Sequence, residues 1–108
     1  MATRSQAEFG LGQVLQKMAE HWTNRTELLE GALEHYLNVV YSRRLQKGED
    51  PDPFWLNKAA VSAGTLAVEQ LQHFDQAERL YQSMLKTLPS QSAIWEKKLE
   101  ILRQQRPK

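Results

Sequence analysis

The stretch that decides the fold is FDQAERLYQSMLKTLP, residues 74–89. Its apolar side chains recur with alternating gaps of three and four residues, at Phe74, Ala77, Tyr81, Met84 and Leu88. Because an α-helix has about 3.6 residues per turn, this spacing puts all five on one helix face. Pro89 then ends the helix, since proline donates no backbone hydrogen bond and forces its predecessor into extended geometry. The sequence therefore predicts an amphipathic helix with one face in a core.

Four other segments show the same periodicity. Their apolar positions are Ala7, Leu11, Val14, Leu15, Met18 and Trp22; then Leu29, Ala32, Leu33, Tyr36, Val39 and Val40; then Leu56, Ala60, Ala63, Gly64, Ala67 and Leu71; and finally Ile94, Trp95, Leu99, Ile101 and Leu102. No segment of useful length alternates with period two between hairpin turns, so we expect no strand. The prediction is an all-α fold of about five helices.

A proline-rich stretch divides the chain. Residues 49–53 read EDPDP, and the two prolines favour an extended linker. Asp52 can cap the helix that follows, with Pro53 in its first turn. We therefore predict one helical domain over residues 1–108. It comprises a first helix pair at 5–47, a linker at 48–53, a second pair at 54–89 and a capping helix at 90–105.

The two helix pairs are similar to each other. ALEHYLNV at 32–39 aligns with AERLYQSM at 77–84, so that both contain alanine, then tyrosine, then an apolar residue at matching places. An apolar residue also precedes each alanine by three positions, Leu29 in one and Phe74 in the other. Internal similarity of this kind is typical of proteins in which each helix pair packs on the next.

On these residues the sequence resembles a tetratricopeptide repeat (TPR). Residues 74–77 with Tyr81, Met84 and Pro89 match the second helix of that motif, and residues 11–15 match the first helix, where Gly12 allows close packing. The resemblance covers most of residues 5–89 and implies antiparallel helix-turn-helix repeats in a right-handed superhelix, ending in a capping helix. Two departures are about eight additional residues in the first pair and Gln72-His73 in place of the usual turn glycine.

The resemblance also implies a function as a protein-interaction scaffold. In such repeats the first helix of each pair lines a concave face that holds a partner protein or peptide. By resemblance, and by exclusion from the predicted core faces, the candidate partner-binding residues are Gln6, Gln13, Gln16, Lys17, Ser62, Leu66, Glu69 and Gln70. The sequence looks most like the C-terminal part of a bacterial, envelope-associated repeat array. We therefore expect a soluble fragment of a longer protein, on the cytoplasmic or periplasmic side of the envelope.

Self-association is the alternative function. Two repeats and a cap are few, because solenoids usually need about three units to bury a continuous core. An unpaired first helix pair could be covered by a second copy of the chain. The candidate self-association face is Leu11, Val14 and Met18, and the expected product is a homodimer or larger assembly.

The remaining function classes are disfavoured by composition and by missing motifs. A net charge of +1 argues against a nucleic-acid-binding helical domain, which is the third alternative. The basic clusters at 43–47 and 97–108 are attributed to helix ends and a solvated face. With no cysteine and no histidines spaced three or four apart, we expect no metal, no cofactor and no enzymatic activity. No apolar run reaches the ~20 residues of a membrane span, so no membrane insertion is expected.

Overall fold

Five α-helices make up most of the chain in a computed structural model, which describes residues 4–41 and 52–105. They are α1 (Arg4–Met18), α2 (Arg25–Val40), α3 (Pro53–Thr65), α4 (Phe74–Thr87) and α5 (Ser92–Gln105). A π-helical segment, Leu66–Leu71, continues α3, and a short 3₁₀ turn, Pro89–Gln91, precedes α5. The described ranges contain no strand, which confirms the predicted all-α class and helix number. The predicted right-handed superhelix stays a prediction.

The start of α3 follows its local sequence signal. The Phe54 N–H donates to Asp52 Oδ1 at 2.9 Å, so Asp52 caps α3 and Pro53 occupies its first turn as predicted. Most of the predicted linker at 48–53 lies outside the described residues. Between the π segment and α4, Gln72 adopts a left-handed conformation with φ of 57°. Gln72 therefore adopts the backbone conformation that a glycine usually adopts in such a turn.

Consecutive helices pack side by side, and α1 also touches α3. Phe9 joins the first three helices, because its ring centroid lies 5.3 Å from that of Tyr36 and 5.7 Å from that of Trp55. The molecule spans 43 × 36 × 17 Å. Since a helix with its side chains is about 10–12 Å across, the short dimension corresponds to roughly two helices.

One hydrophobic core runs through all five helices. The predicted faces of α2 and α4 are confirmed in it, and the aligned alanines Ala32 and Ala77 are both fully buried. The largest fully buried side chains are Trp95, Tyr36, Leu66, Leu80, Met84 and Leu102. The core thus contains the tyrosine, alanine and apolar positions on which the internal similarity was based.

Most of the predicted core face of α1 is wrong, and of its residues Leu15 packs against the core. Leu11 and Val14 are 49% and 56% exposed, and Trp22 beyond the helix is 59% exposed. The buried residues of α1 and its following turn are instead Ser5, Phe9, Gly12 and Ala19. These positions also recur at gaps of three or four or their sum, so α1 has apolar or small residues on two faces. The face with Gly12 and Ala19 packs inward because small residues let α2 approach closely.

Candidate functional site

Two surface clefts lie over tyrosines that are packed against glycines. Tyr36 of α2 covers Gly12 of α1, where an added Cβ would lie 2.5 Å from Tyr36 Cε1. Tyr81 of α4 covers Gly64 of α3 in the same way, and a Cβ there would lie 2.6 Å from Tyr81 Cε1. Only glycine leaves room for these rings, so each glycine sets the depth at which its tyrosine lies.

Cleft 1 lies between α1, α2 and α3 and has a volume of about 280 Å³. It is lined by Gln13, Gln16, Lys17, Glu20, Tyr36 and Ser62. Four of the predicted partner-binding residues, Gln13, Gln16, Lys17 and Ser62, are therefore brought together. The Tyr36 hydroxyl donates to Gln16 Oε1 at 2.7 Å. Lys17 Nζ lies 4.0 Å from Glu20 Oε2 in a largely exposed pair, which contributes little stability because solvent screens it.

Cleft 2 lies between α3, its π segment, α4 and α5, with a volume of about 170 Å³. It is lined by Gly64, Thr65, Val68, Glu69, Tyr81, Lys98, Ile101, Leu102 and Gln105. Of the predicted residues only Glu69 is among them. The residues of α5 that line cleft 2 were not predicted from the sequence, because the spacing of apolar residues in α5 does not indicate which helix it faces.

The two clefts are lined from matching sequence positions. Counting from the glycine that each tyrosine covers, positions one, four and five residues later line each cleft. The matching pairs are Gln13 with Thr65, Gln16 with Val68, and Lys17 with Glu69. The two clefts therefore have the same arrangement of lining positions but different chemistry. The carboxamide of Gln16 is replaced by the aliphatic Val68, and the cation of Lys17 is replaced by the anion of Glu69.

Both tyrosines remain protonated donors well above neutral pH. Burial raises the pKa of Tyr36 to about 12. Burial also raises the pKa of Tyr81, and the nearby negative charge of Glu69 adds to that effect. Lys98 Nζ lies 5.9 Å from the centroid of the Trp95 ring, a cation–π contact that holds this ammonium beside cleft 2.

The other predicted partner-binding residues lie elsewhere. Gln6 is exposed and lines neither cleft. Gln70 also lies outside them, and its Oε1 accepts from Arg25 Nη2 at 2.6 Å. Leu66 is 0% exposed, so its assignment to a binding surface is wrong. It follows Ala63 by three residues and therefore shares the buried face of that helix.

The proposed self-association face and the basic clusters have different outcomes. Leu11 and Val14 are exposed and Met18 is half-buried, so this face is available at the surface. The cluster at Arg43, Arg44 and Lys47 lies outside the described residues, as do Arg106 and Lys108. Lys97 and Arg103 are exposed on α5, and Lys98 lines cleft 2.

A polar cluster between α1 and α2 was not predicted. Glu8 Oε2 lies 2.9 Å from His35 Nδ1 and accepts from Asn38 Nδ2 at 3.1 Å. Because Asn38 is only 4% exposed, these bonds satisfy a buried amide and fix the pairing of the two helices.

Among residues 4–41 and 52–105 no three His, Cys, Asp or Glu side chains are grouped to hold a metal ion. In the same ranges no helix has the length and apolar character needed to cross a bilayer.

Comparison of the chain with protein-family models, with curated proteins and with solved structures finds no match.

Proposed function

We propose that this chain is a TPR-type interaction scaffold, part of a longer bacterial repeat protein, that binds a partner protein or peptide along clefts 1 and 2. The observation that supports the proposal best is the pair of clefts lined from matching positions, each over a tyrosine packed on a glycine. Successive helix pairs then offer successive binding places, as the resemblance implies.

The chemistry of cleft 1 suits a peptide backbone. Its lining includes two carboxamides and a hydroxyl, from Gln13, Gln16 and Ser62. A carboxamide both donates and accepts hydrogen bonds, which is what the alternating N–H and C=O groups of an extended peptide need. Lys17 and Glu20 of this cleft lie next to each other, so their charges offset and the pair favours neither sign of ligand charge.

Selection of peptides from a random display library tests this function. Peptides are selected on the whole chain, and their affinities are then compared with those for Gln13→Arg, which places a long cation in cleft 1. Gln82→Arg is the matched control, since Gln82 is an exposed helical residue that lines neither cleft. We expect Gln13→Arg to weaken binding by about tenfold or more, with no change for the control. Selection of no peptide, or equal affinities for both variants, would contradict the proposal.

Self-association is the second candidate, favoured by one specific observation. The outer face of α1 exposes Leu11 and Val14 by about half each, next to Gly10, above which there is open space. A second helix could approach such a face closely and remove its apolar surface from water. Light scattering over a concentration series is the test. We expect an oligomer that reverts to a monomer when Leu11 and Val14 are both replaced by glutamine, and a wild-type chain that stays monomeric would exclude this candidate.

A further inference from the structure

The two tyrosines differ in what their hydroxyls bind. In cleft 1 the hydroxyl of Tyr36 donates to Gln16, four residues after the glycine that the ring covers. In cleft 2 that position is Val68, which has no acceptor atom. No residue in the described ranges accepts a hydrogen bond from Tyr81, although Tyr81 is only 7% exposed and lines the cleft.

A phenol in this position needs an acceptor from outside residues 4–41 and 52–105. Polar groups of proteins are almost always hydrogen-bonded, either to protein or to water. Its raised pKa keeps the proton on the oxygen, so the group acts as a donor and not as an anion. Water or a bound molecule that reaches into cleft 2 can supply this acceptor.

The remaining lining indicates the chemistry of that molecule. Val68, Ile101 and Leu102 give an aliphatic wall, which fits an aliphatic side chain. Lys98 also lines the cleft and can donate a hydrogen bond, and Glu69 can accept one from an N–H. A peptide group offers one carbonyl and one N–H, so it matches this set. A free carboxylate matches the set less well, because it has no N–H for Glu69 to accept from and its attraction to Lys98 is offset by repulsion from Glu69.

The size of the cleft distinguishes a peptide from a small-molecule ligand. Pockets for cofactors and drug-sized ligands are roughly 300–1,000 Å³. Cleft 2 has about 170 Å³ and is open along one side. It therefore accommodates one residue of a longer chain better than a whole cofactor.

From these observations we infer that cleft 2 is the subsite for one aliphatic residue of the partner peptide, whose main-chain carbonyl accepts from the Tyr81 hydroxyl. Val68 is the specificity-determining residue, because it leaves free the hydroxyl that a glutamine would occupy. This inference rests on the proposed function and adds the chemistry of one of its binding places.

The test is an NMR titration of the whole chain with N-acetyl-leucine N-methylamide, a single aliphatic residue with a peptide group on each side. We expect amide shifts at residues 64–69 and 98–105. Val68→Gln supplies the acceptor seen in cleft 1, and Tyr81→Phe removes the donor, so each should weaken binding by about tenfold. The reciprocal change Gln16→Val frees the hydroxyl of Tyr36 and should add shifts around cleft 1.

The outcomes separate this inference from the proposed function. Unchanged binding in both Val68→Gln and Tyr81→Phe, or no shifts around cleft 2 in the folded wild-type chain, would overturn the inference. If display-selected peptides still bind and still lose affinity in Gln13→Arg, the scaffold function stands without it. A well-dispersed amide spectrum of each variant shows that the variant is folded.

Discussion

The ring of Tyr36 lies against the backbone of Gly12, so closely that a methyl group on Gly12 would fall 2.5 Å from Cε1 and 2.8 Å from Cδ1 of the ring. Carbon atoms that are not bonded to each other do not come this close in proteins, so either the ring of Tyr36 or α1 would have to move. Because Tyr36 is also 1% exposed and bonded to Gln16, it has little freedom to shift. This contact fixes the distance between α1 and α2.

Gly12→Ala should therefore destabilise the fold. We expect a loss of about 1–3 kcal/mol in the free energy of unfolding from overpacking, partly offset by the ~1 kcal/mol that alanine gains over glycine in a helix. Gly10→Ala is the control in the same helix, because a Cβ there meets nothing within 4 Å. It should stabilise the protein by up to about 1 kcal/mol. Urea denaturation measures both, and a stabilising Gly12→Ala would disprove the close contact.

Gln72→Gly should stabilise the protein. Gln72 has a φ of 57°, a conformation that disfavours residues with a Cβ. Glycine removes that strain but also makes the unfolded chain more flexible, so we expect a net gain of about 0.5–1 kcal/mol. Gln72→Val is the comparison, since a β-branched residue at positive φ should destabilise the fold. In thermal unfolding we expect the melting temperature to fall in the order Gly, Gln, Val at position 72. Any other order would contradict backbone strain at Gln72.

Stability should fall at high pH because of Tyr36. Its pKa is raised from 10.0 to about 12 in the folded protein, so the folded state disfavours the ionised phenol. The contribution to stability is complete below pH 10, is lost as the pH rises towards 12, and amounts to on the order of 2–3 kcal/mol. Tyr36→Phe removes this titration. Urea unfolding between pH 8 and 12 should give a steeper decline for wild type than for the variant, and parallel declines would rule out the shift.

Leu66→Ala should cost much more than a change on the outer side of the same helix. Leu66 is 0% exposed, and truncating a buried leucine usually costs about 2–5 kcal/mol. Val61 of α3 is 38% exposed, so Val61→Ala should change stability by no more than about 0.5 kcal/mol. Equal effects of the two substitutions in urea would show that Leu66 lies at the surface after all.

The sequence predicted α2 and α4 well because each has a single apolar face. The core face of α1 could not be predicted in this way, since Phe9, Gly12 and Ala19 compete with Leu11, Val14 and Met18 at similar spacing. Packing decided between them, because Tyr36 needs Gly12 beneath its ring. Periodicity alone ranks a glycine below a leucine as a core residue and so selects the wrong face.

Cleft 1 could be predicted in good part and cleft 2 could not. The resemblance implies that the first helix of each pair lines a concave face. Four polar residues on those helices were predicted for that reason, and they line cleft 1: Gln13, Gln16, Lys17 and Ser62. The lining of cleft 2 depends on how α5 packs on α4, which no local pattern encodes. The internal repeat is the signal that could have identified part of this lining. The positions one, four and five residues after Gly12 line cleft 1, and the same positions after Gly64 are Thr65, Val68 and Glu69.

The π segment Leu66–Leu71 has a consequence for how the length of this chain can vary. Each of its turns closes over one residue more than an α-helical turn, as in the bond from the Gln72 N–H to the Ala67 carbonyl five residues earlier. A helix can absorb a one-residue insertion in this form without moving the helices on either side. A related chain with one residue fewer between Thr65 and Gln72 would thus keep Gly64 under Tyr81, and alignments of such chains should place their gap here.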